Sequence, residues 1–503
     1  MVFASHSFLA FLLILLLGYW LVGRHDERLG KPLLIVASFV FYGFWIPAYL
    51  VLLIVSILFN HAIARAVLAG PEQRLRRALT ALGILLNLAL IAFYKYAAFL
   101  VESLNWTLQT GFDVPDIVLP IGISFFTFQQ ISLLVDAHKG RVQQLRFWDH
   151  VLFISFFPQL IAGPIVRQHD MLPQLATRRD WRLRADYVAI GIALFAFGLF
   201  KKTAIIDPFV PYLDVIYEAA AKGDPVGFVD GWIAGIGYGF QVYFDFSAYS
   251  DMAIGLGFMF GLRLPINFFS PYKAHNIRDF WRRWHISLSR FLRDYLFIPL
   301  GGSRHGMLRT IAALMVTMAL GGLWHGAGWT FVIWGALHGS YLAVNHLWRA
   351  LVRRLLPPQA ETRTGPRWPG WILHALSVVI TFLAVSFAWV FFRAPDLDAA
   401  MRLATAMLGF SEWHEVAQLT RGIVPAFPIY FLIVWLMPNT MEIFQATKAA
   451  LHVEEYRDGE TRPLRPGWLS FTLNARWAVT TAAVFICAWF ALSNLSPFIY
   501  FQF

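Results

Sequence analysis

A histidine in the middle of a long uncharged run is the first sign of chemistry in this chain. Residues 310–348 contain no Asp, Glu, Lys or Arg, and within them lies GGLWHGAGWTFVIWGALHG, residues 321–339. His325 is flanked there by Gly321, Gly322, Gly326 and Gly328, whose missing side chains let backbone or a ligand approach closely. An ionisable side chain at such depth in an apolar run points to function rather than packing. Imidazole suits proton transfer, because its unperturbed pKa lies nearest to neutrality. His338 reads as a packing or supporting group, and His346 as interfacial.

The second signal is Asn276 to Tyr295, NIRDFWRRWHISLSRFLRDY. Asn276 can cap a helix, with Asp279 three residues on completing a capping-box-like start. Trp281, Trp284, His285, Leu288, Phe291, Leu292 and Tyr295 then recur at helical spacing on one face, and Arg282, Arg283, Arg290 and Arg293 fill much of the rest. The spacing predicts one amphipathic helix lying flat at the cytoplasmic interface with arginines at the headgroups. That reading leaves His285 unexplained on the apolar stripe. It is either a satisfied core residue or part of a site.

Carboxylates form a weaker third set. Asp245 and Asp251, in QVYFDFSAYSD, and Asp136, at the end of LPIGISFFTFQQISLLVD, either pair with nearby arginines and fix helix ends or act directly. There is no Gly-rich phosphate loop, no serine nucleophile elbow and no metal-ligand spacing. Cys487, the single cysteine, lies in an apolar run, so no disulfide framework or cysteine metal site is expected.

The elements that must position these residues are membrane spans. Of 503 residues 58% are hydrophobic and 14% charged, against about 25% charged in a soluble domain. A helical span needs about 20 apolar residues. Apolar stretches at 7–23, 33–46, 48–64, 79–100, 117–136, 186–206, 228–248, 309–323, 327–347, 372–393, 423–437 and 476–494 give about twelve. The first lacks a basic region before it and a small-residue cleavage site after it, so it reads as a retained span. Two shorter stretches, 149–164 and 249–264, are interrupted by Pro158, Gly163 and Pro164 or by Gly255, Gly257 and Gly261. They are expected to be re-entrant, because a full crossing at 149–164 would place Arg167, Arg178, Arg179, Arg182 and Arg184 outside.

With those two excluded, the loops sort by charge. Arg24 to Lys31, Arg65 to Arg77, Lys139 to Arg184, Lys273 to Arg309, Arg349 to Arg367 and Lys448 to Arg465 fall on the cytoplasmic side. Glu102 to Asp116 and Asp207 to Asp230 fall opposite, and both termini would be periplasmic. The net charge of +11 is therefore loop charge. A nucleic-acid site would need a basic soluble domain, and none is long enough here. No repeat or linker marks a second folded domain, so residues 1–503 are expected to form a single membrane-embedded domain.

At these residues the sequence resembles the membrane-bound O-acyltransferase (MBOAT) family, and within it the alginate O-acetylation type. LPIGISFFTFQQISLLVD, FFPQLIAGPIVR, YFDFSAYSDMAIGLGFMFG, FWRRWHISLSRFLRDYLFIPLGG and GLWHGAGWTFVIWGALHG carry the resemblance in order over about 120–340, and MVFASHSFLAF also fits. The resemblance implies an all-α fold, a ring of tilted helices around a thin core, with His325 as the histidine in a tunnel and His285 at the family's second polar position. It implies an acyl donor reached from the cytoplasm, expected to be acetyl-CoA with no bound cofactor or metal, and hand-over to a periplasmic partner of esterase-like fold. The setting would be a bacterial inner membrane and a machinery that makes and secretes an exopolysaccharide such as alginate or cellulose. His325 would deprotonate the acceptor hydroxyl or take the acyl group itself. Arg282 and Arg283 would hold donor phosphates, Trp281, Trp324 and Asp245 would lie around the donor, and His285 would orient its carbonyl or stabilise the oxyanion. A transporter or flippase for a polymer precursor, since Pro- and Gly-broken segments also mark transport sites, and a scaffold in a secretion complex are the competing readings.

Overall fold

The computed structural model describes residues 1–178, 180–355, 370–411, 422–456, 469–494, 496, 498 and 499. Arg179, 356–367 and 457–465, which carry part of the basic loops, lie outside this set. Every regular element among the described residues is helical, with one isolated bridge between Pro265 and Leu451. In chain order the α-helices are α1 (His6–His25), α2 (Gly30–Gly43), α3 (Pro47–Ala69), α4 (Gln73–Ile91), α5 (Ala97–Leu108), α6 (Ile123–His138) and α7 (Phe147–Ser155). Next come α8 (Phe157–Leu160), α9 (Gln168–Thr177), α10 (Ala185–Phe200), α11 (Val210–Lys222), α12 (Phe228–Met259), α13 (Ile277–Arg283) and α14 (Ile286–Leu292). The rest are α15 (Met307–His325), α16 (Trp329–Leu355), α17 (Gly370–Arg393), α18 (Leu397–Met407), α19 (Phe427–Leu436), α20 (Thr440–Ile443) and α21 (Ala475–Phe490).

Local chemistry starts several of them. Ser5 caps α1 by accepting the Phe8 N–H at 3.2 Å, Asp396 caps α18 through Ala399 at 2.8 Å, and Asn474 caps α21 through Trp477 at 3.0 Å. Pro47 opens α3, where its missing N–H costs nothing.

Six helical stretches among the described residues are long and apolar enough to cross a membrane: His6–His25, Pro47–Ala69, Gln73–Leu108, Ala185–Lys222, Met307–His325 and Gly370–Arg393. Val424–Leu436 and Ala475–Phe490 are apolar but shorter. The protein is thus an all-helical, multi-pass membrane protein. Its spans carry exposed apolar side chains such as Leu13, Ile14, Leu17, Val51, Val55 and Leu85, the surface that lipid tails solvate.

The chain sorts into two compact units. The first comprises residues 1–204, 248–266 and 440–495. Its helix α6 is buried along most of its length, and Leu133, Leu134 and Ala137 join Ala64, Val67, Val142 and Leu145 in one core cluster. Polar groups inside are paired: Asn60 with Asn87 at 2.7 Å, His150 with Gln130 at 2.9 Å, Asp251 with Lys201 at 2.5 Å, and Lys31 with Asp149. Asp136 pairs with Arg141 at 3.0 Å, as one of the sequence readings expected.

The two interrupted stretches behave differently. At 149–164 the helix does stop, at Phe156, and the whole stretch is buried, which irregular backbone at membrane depth requires. At 249–264 it does not, since α12 runs unbroken to Met259 and turns only at Gly261, φ 72°. Gly255 there is a packing residue. A Cβ on it would meet the Gly191 carbonyl oxygen at 2.6 Å, and one on Gly191 would meet that of Gly255 at 2.6 Å. Small residues let two helix backbones touch where lipid offers no hydrophobic drive, so these glycines join α10 to α12.

The second unit comprises residues 205–247, 267–439 and 496–503, its described part holding α11, the start of α12 and α13–α19. Asp214 and Arg393 tie α11 to α17 at 2.8 Å, and Arg402 of α18 donates to the Ala220 carbonyl at 2.9 Å. The Tyr272 hydroxyl donates to the Gly239 carbonyl at 2.5 Å, and Trp435 donates its indole N–H to the Tyr272 carbonyl at 3.1 Å.

Candidate active site

Helices α15 and α16 form a hairpin whose seam is glycine. A Cβ on Gly322 would stand 2.1 Å from the Phe331 carbonyl oxygen, and one on Gly335 would stand 2.2 Å from that of Met318. Of the glycines that flank His325, Gly322 therefore serves backbone approach, while Gly326 makes room for the Phe331 ring. The seam brings His325, the last residue of α15, against aromatic rings from three elements: Trp324 at 4.9 Å between centroids, Trp334 of α16 at 5.3 Å and Phe392 of α17 at 5.1 Å. His325 is 5% exposed.

The Asn276–Tyr295 segment is not one helix. Asn276 caps α13 through the Asp279 N–H at 2.9 Å, as its sequence suggests. The helix then stops at Trp284, and His285 takes a left-handed conformation, φ 40° and ψ 55°, before α14 begins. The cause is tertiary. The Phe269 N–H donates to the Arg283 carbonyl at 3.0 Å and the Ile286 N–H to the Asn267 carbonyl at 2.9 Å, so backbone groups that would extend the helix bond to residues 267–269 instead. Nor does the segment lie flat on an interface, because Phe280, Trp281, Trp284, His285, Ile286, Leu288, Phe291 and Leu292 are all buried.

The break fixes the histidine. His285 is fully buried, and its Nδ1 lies 3.0 Å from Asn267 Oδ1. The same oxygen accepts the Ser287 N–H at 3.3 Å and the Ser287 hydroxyl at 2.8 Å. A main-chain N–H can only donate, so this Asn267 atom is the oxygen, and the ring nitrogen facing it carries the proton. The lone pair of neutral His285 is then on Nε2. The Phe246 ring packs edge-on at 4.7 Å. The His285 and His325 rings stand 6.1 Å apart between centroids, close enough for one small group to touch both.

The other expected site residues divide. Trp324 joins the pair, its ring 6.2 Å from that of His285. Trp281 packs one layer away, against Trp334 at 5.9 Å and His338 at 5.3 Å. Asp245 is buried and accepts the Ile499 N–H at 2.8 Å. Arg283 is also buried, bound to Asp279 at 3.0 Å. Burial opposes the charge of Asp279, but the hydrogen bond from His275 and the Arg283 guanidinium outweigh it and hold the carboxyl below its ordinary range. The Arg283 guanidinium is thus engaged with a carboxylate inside the fold. Arg282 is exposed and belongs to a different group. Arg278 sits among Arg282, Arg349 and Arg353, and burial together with those three charges holds its guanidinium below its usual value. Sequence reasoning missed Asn267, although a lone amide within LPINFF was a visible signal, and it left Arg278, Arg349 and Arg353 unassigned.

Residues 77–383 match the membrane-bound O-acyltransferase family, and the chain belongs to that family. It is an acyltransferase. The "Probable alginate O-acetylase AlgI" of Pseudomonas aeruginosa is 41% identical to it, over 84% of this chain and 77% of its own length. The "Peptidoglycan O-acetyltransferase" of Helicobacter pylori is 39% identical, over 80% and 78%. The "Teichoic acid D-alanyltransferase" of Bacillus subtilis is 28% identical, over 54% and 68%.

Proposed function

We propose that this protein sits in a bacterial inner membrane and moves acetyl groups from cytoplasmic acetyl-CoA toward an extracytoplasmic polysaccharide of the alginate class, through a periplasmic partner of esterase-like fold. The observation that carries the reading is the pair of buried histidines, His285 and His325, 6.1 Å apart. The names of the relatives supply the substrate class, since those more than a third identical are named for O-acetylation of alginate or peptidoglycan.

The chemistry is acyl transfer from a thioester to a hydroxyl. The hydroxyl oxygen attacks the thioester carbonyl as an imidazole takes its proton, the carbon–sulfur bond breaks, and the thiol leaves with a proton. His325, in contact with Trp324, Trp334 and Phe392, acts as this base or accepts the acyl group on the way. His285 has a role that its tautomer limits. With Nδ1–H bound to Asn267, its Nε2 is an acceptor, suited to take a proton from the hydroxyl or from His325 and unsuited, while neutral, to donate to an oxyanion. Arg278, Arg282, Arg349 and Arg353 would hold the donor's phosphates.

The test is His325→Ala in a strain lacking the native protein. The variant should reach the membrane at normal levels and leave polymer acetyl content at that of the deletion strain. Acetylation at the wild-type level would end the reading.

A further inference from the structure

One ring beyond the histidine pair, the second unit holds polar atoms that its own packing leaves unsatisfied. His338 is fully buried, and among the described residues neither of its ring nitrogens has a hydrogen-bond partner. The same holds for the indole N–H groups of Trp281 and Trp334. The three rings are neighbours: His338 to Trp334 is 4.7 Å, His338 to Trp281 5.3 Å and Trp281 to Trp334 5.9 Å between centroids. Phe280 and Trp389 pack against the histidine at 6.0 and 6.2 Å. Buried polar groups almost always have partners, and four such atoms in one aromatic cluster call for a ligand that supplies them.

We propose that His338, Trp281 and Trp334 form a subsite for an amide group on the arm of the thioester donor. This rests on the donor reading above. The chemistry of the atoms selects the ligand. Two indole N–H groups can only donate, and a neutral imidazole offers one donor and one acceptor. An amide pairs three of those four atoms at once, because its carbonyl oxygen accepts two hydrogen bonds and its N–H donates one to the imidazole lone pair. A sugar face would bring more hydroxyl donors than a single imidazole acceptor can receive.

Position along α16 agrees. Trp334 touches His325, His338 follows one turn later, and Arg349 and Arg353 lie further along the same helix. At 1.5 Å per residue, His338 is about 6 Å from Trp334 along the axis and Arg349 about 16 Å beyond it. In a pantetheine arm the first amide follows the sulfur by two carbons. The phosphate comes ten bonds later, about 12 Å at the reach per bond of extended backbone. Arginine side chains lean toward the helix N-terminus, so those on α16 reach back to close the difference. Thioester, amide and phosphate would then meet His325, His338 and the arginine group in that order.

The experiment uses the full-length purified protein and compares three donors: acetyl-CoA, S-acetyl-N-acetylcysteamine, which has one amide, and S-pentyl thioacetate, its amide-free analogue of the same length. Wild type should prefer the amide donor by roughly 10-fold to 100-fold in kcat/KM, the range expected when buried polar groups are otherwise left unpaired. In His338→Phe, which keeps an aromatic ring, the preference should fall toward unity and the KM for acetyl-CoA should rise. Trp281→Phe and Trp334→Phe should each remove part of it, and they carry the test if the histidine variant does not fold. Wild-type turnover of acetyl-CoA without any amide preference, or a preference unchanged in folded variants, would overturn the subsite and leave the acetyltransferase reading standing. No turnover of acetyl-CoA by wild type would overturn both.

Discussion

At the scale of single residues, the molecule invests backbone strain in His285. A left-handed residue other than glycine costs about 1–2 kcal/mol, and here the cost is borne by a buried imidazole whose one nitrogen is held by Asn267. This changes what a substitution there tests. His285→Leu would combine loss of the imidazole with an apolar residue in a conformation it resists, so lower stability is expected as well as lower turnover. His285→Asn is the cleaner variant, because Asn tolerates the left-handed region. It should keep the wild-type elution profile in detergent and lose about 10²-fold or more in rate. Asn267 is a positioning residue. Asn267→Leu should lower kcat by a similar factor with little change in KM, whereas Asn267→Asp, which keeps an acceptor oxygen, should retain much of the rate. Equal losses in both Asn267 variants would mean that the amide acts only through packing.

At the scale of elements, glycine decides how α15 and α16 meet. Gly322→Ala and Gly335→Ala each place a methyl group near 2 Å from a carbonyl oxygen of the other helix. The helices must part, at a cost of about 1–3 kcal/mol or more. Gly328→Ala meets nothing nearer than 3.6 Å and should be tolerated. Thermal unfolding followed by size exclusion should show a clear drop in Tm for the first two variants and little for the third. The arginine group makes a separate prediction across α13 and α16. Arg282→Ala and Arg353→Ala should raise the KM for acetyl-CoA about 10-fold each and leave kinetics with S-acetylpantetheine, which lacks the nucleotide phosphates, nearly unchanged. Loss of rate with both donors would return these arginines to a structural role.

At the scale of the whole molecule, the charge of the loops sets sidedness. The basic loops assign Arg182 to the cytoplasm and Asp113 to the periplasm, and both residues are exposed. In a Cys487→Ala background, a cysteine at 113 should react with an impermeant maleimide in intact spheroplasts, and one at 182 should react only after lysis. Labelling at 182 from outside would show that 149–164 crosses the membrane. It would also place the arginine group on the side opposite to the cytoplasmic one proposed.

The residues and spans were legible in the sequence to different depths, for a physical reason. A bilayer sets a length and a polarity for each crossing, so uncharged runs such as 310–348 mark membrane helices by composition alone. His325 stands out there because an ionisable group in such a run is costly. The cap at Asn276 was likewise local, since it bonds an N–H three residues away. What only the tertiary structure decided depends on partners distant in the chain. The helix period of Asn276–Tyr295 is intact in the sequence, yet the helix breaks because Asn267 and Phe269 hydrogen-bond to its backbone. Gly255 reads as a helix breaker and is a packing surface, because Gly191 lies against it. Arg282 and Arg283 are adjacent and alike in the sequence. One joins Arg278, Arg349 and Arg353 while the other is buried against Asp279, since neighbouring positions on a helix point in different directions and only packing determines what each meets.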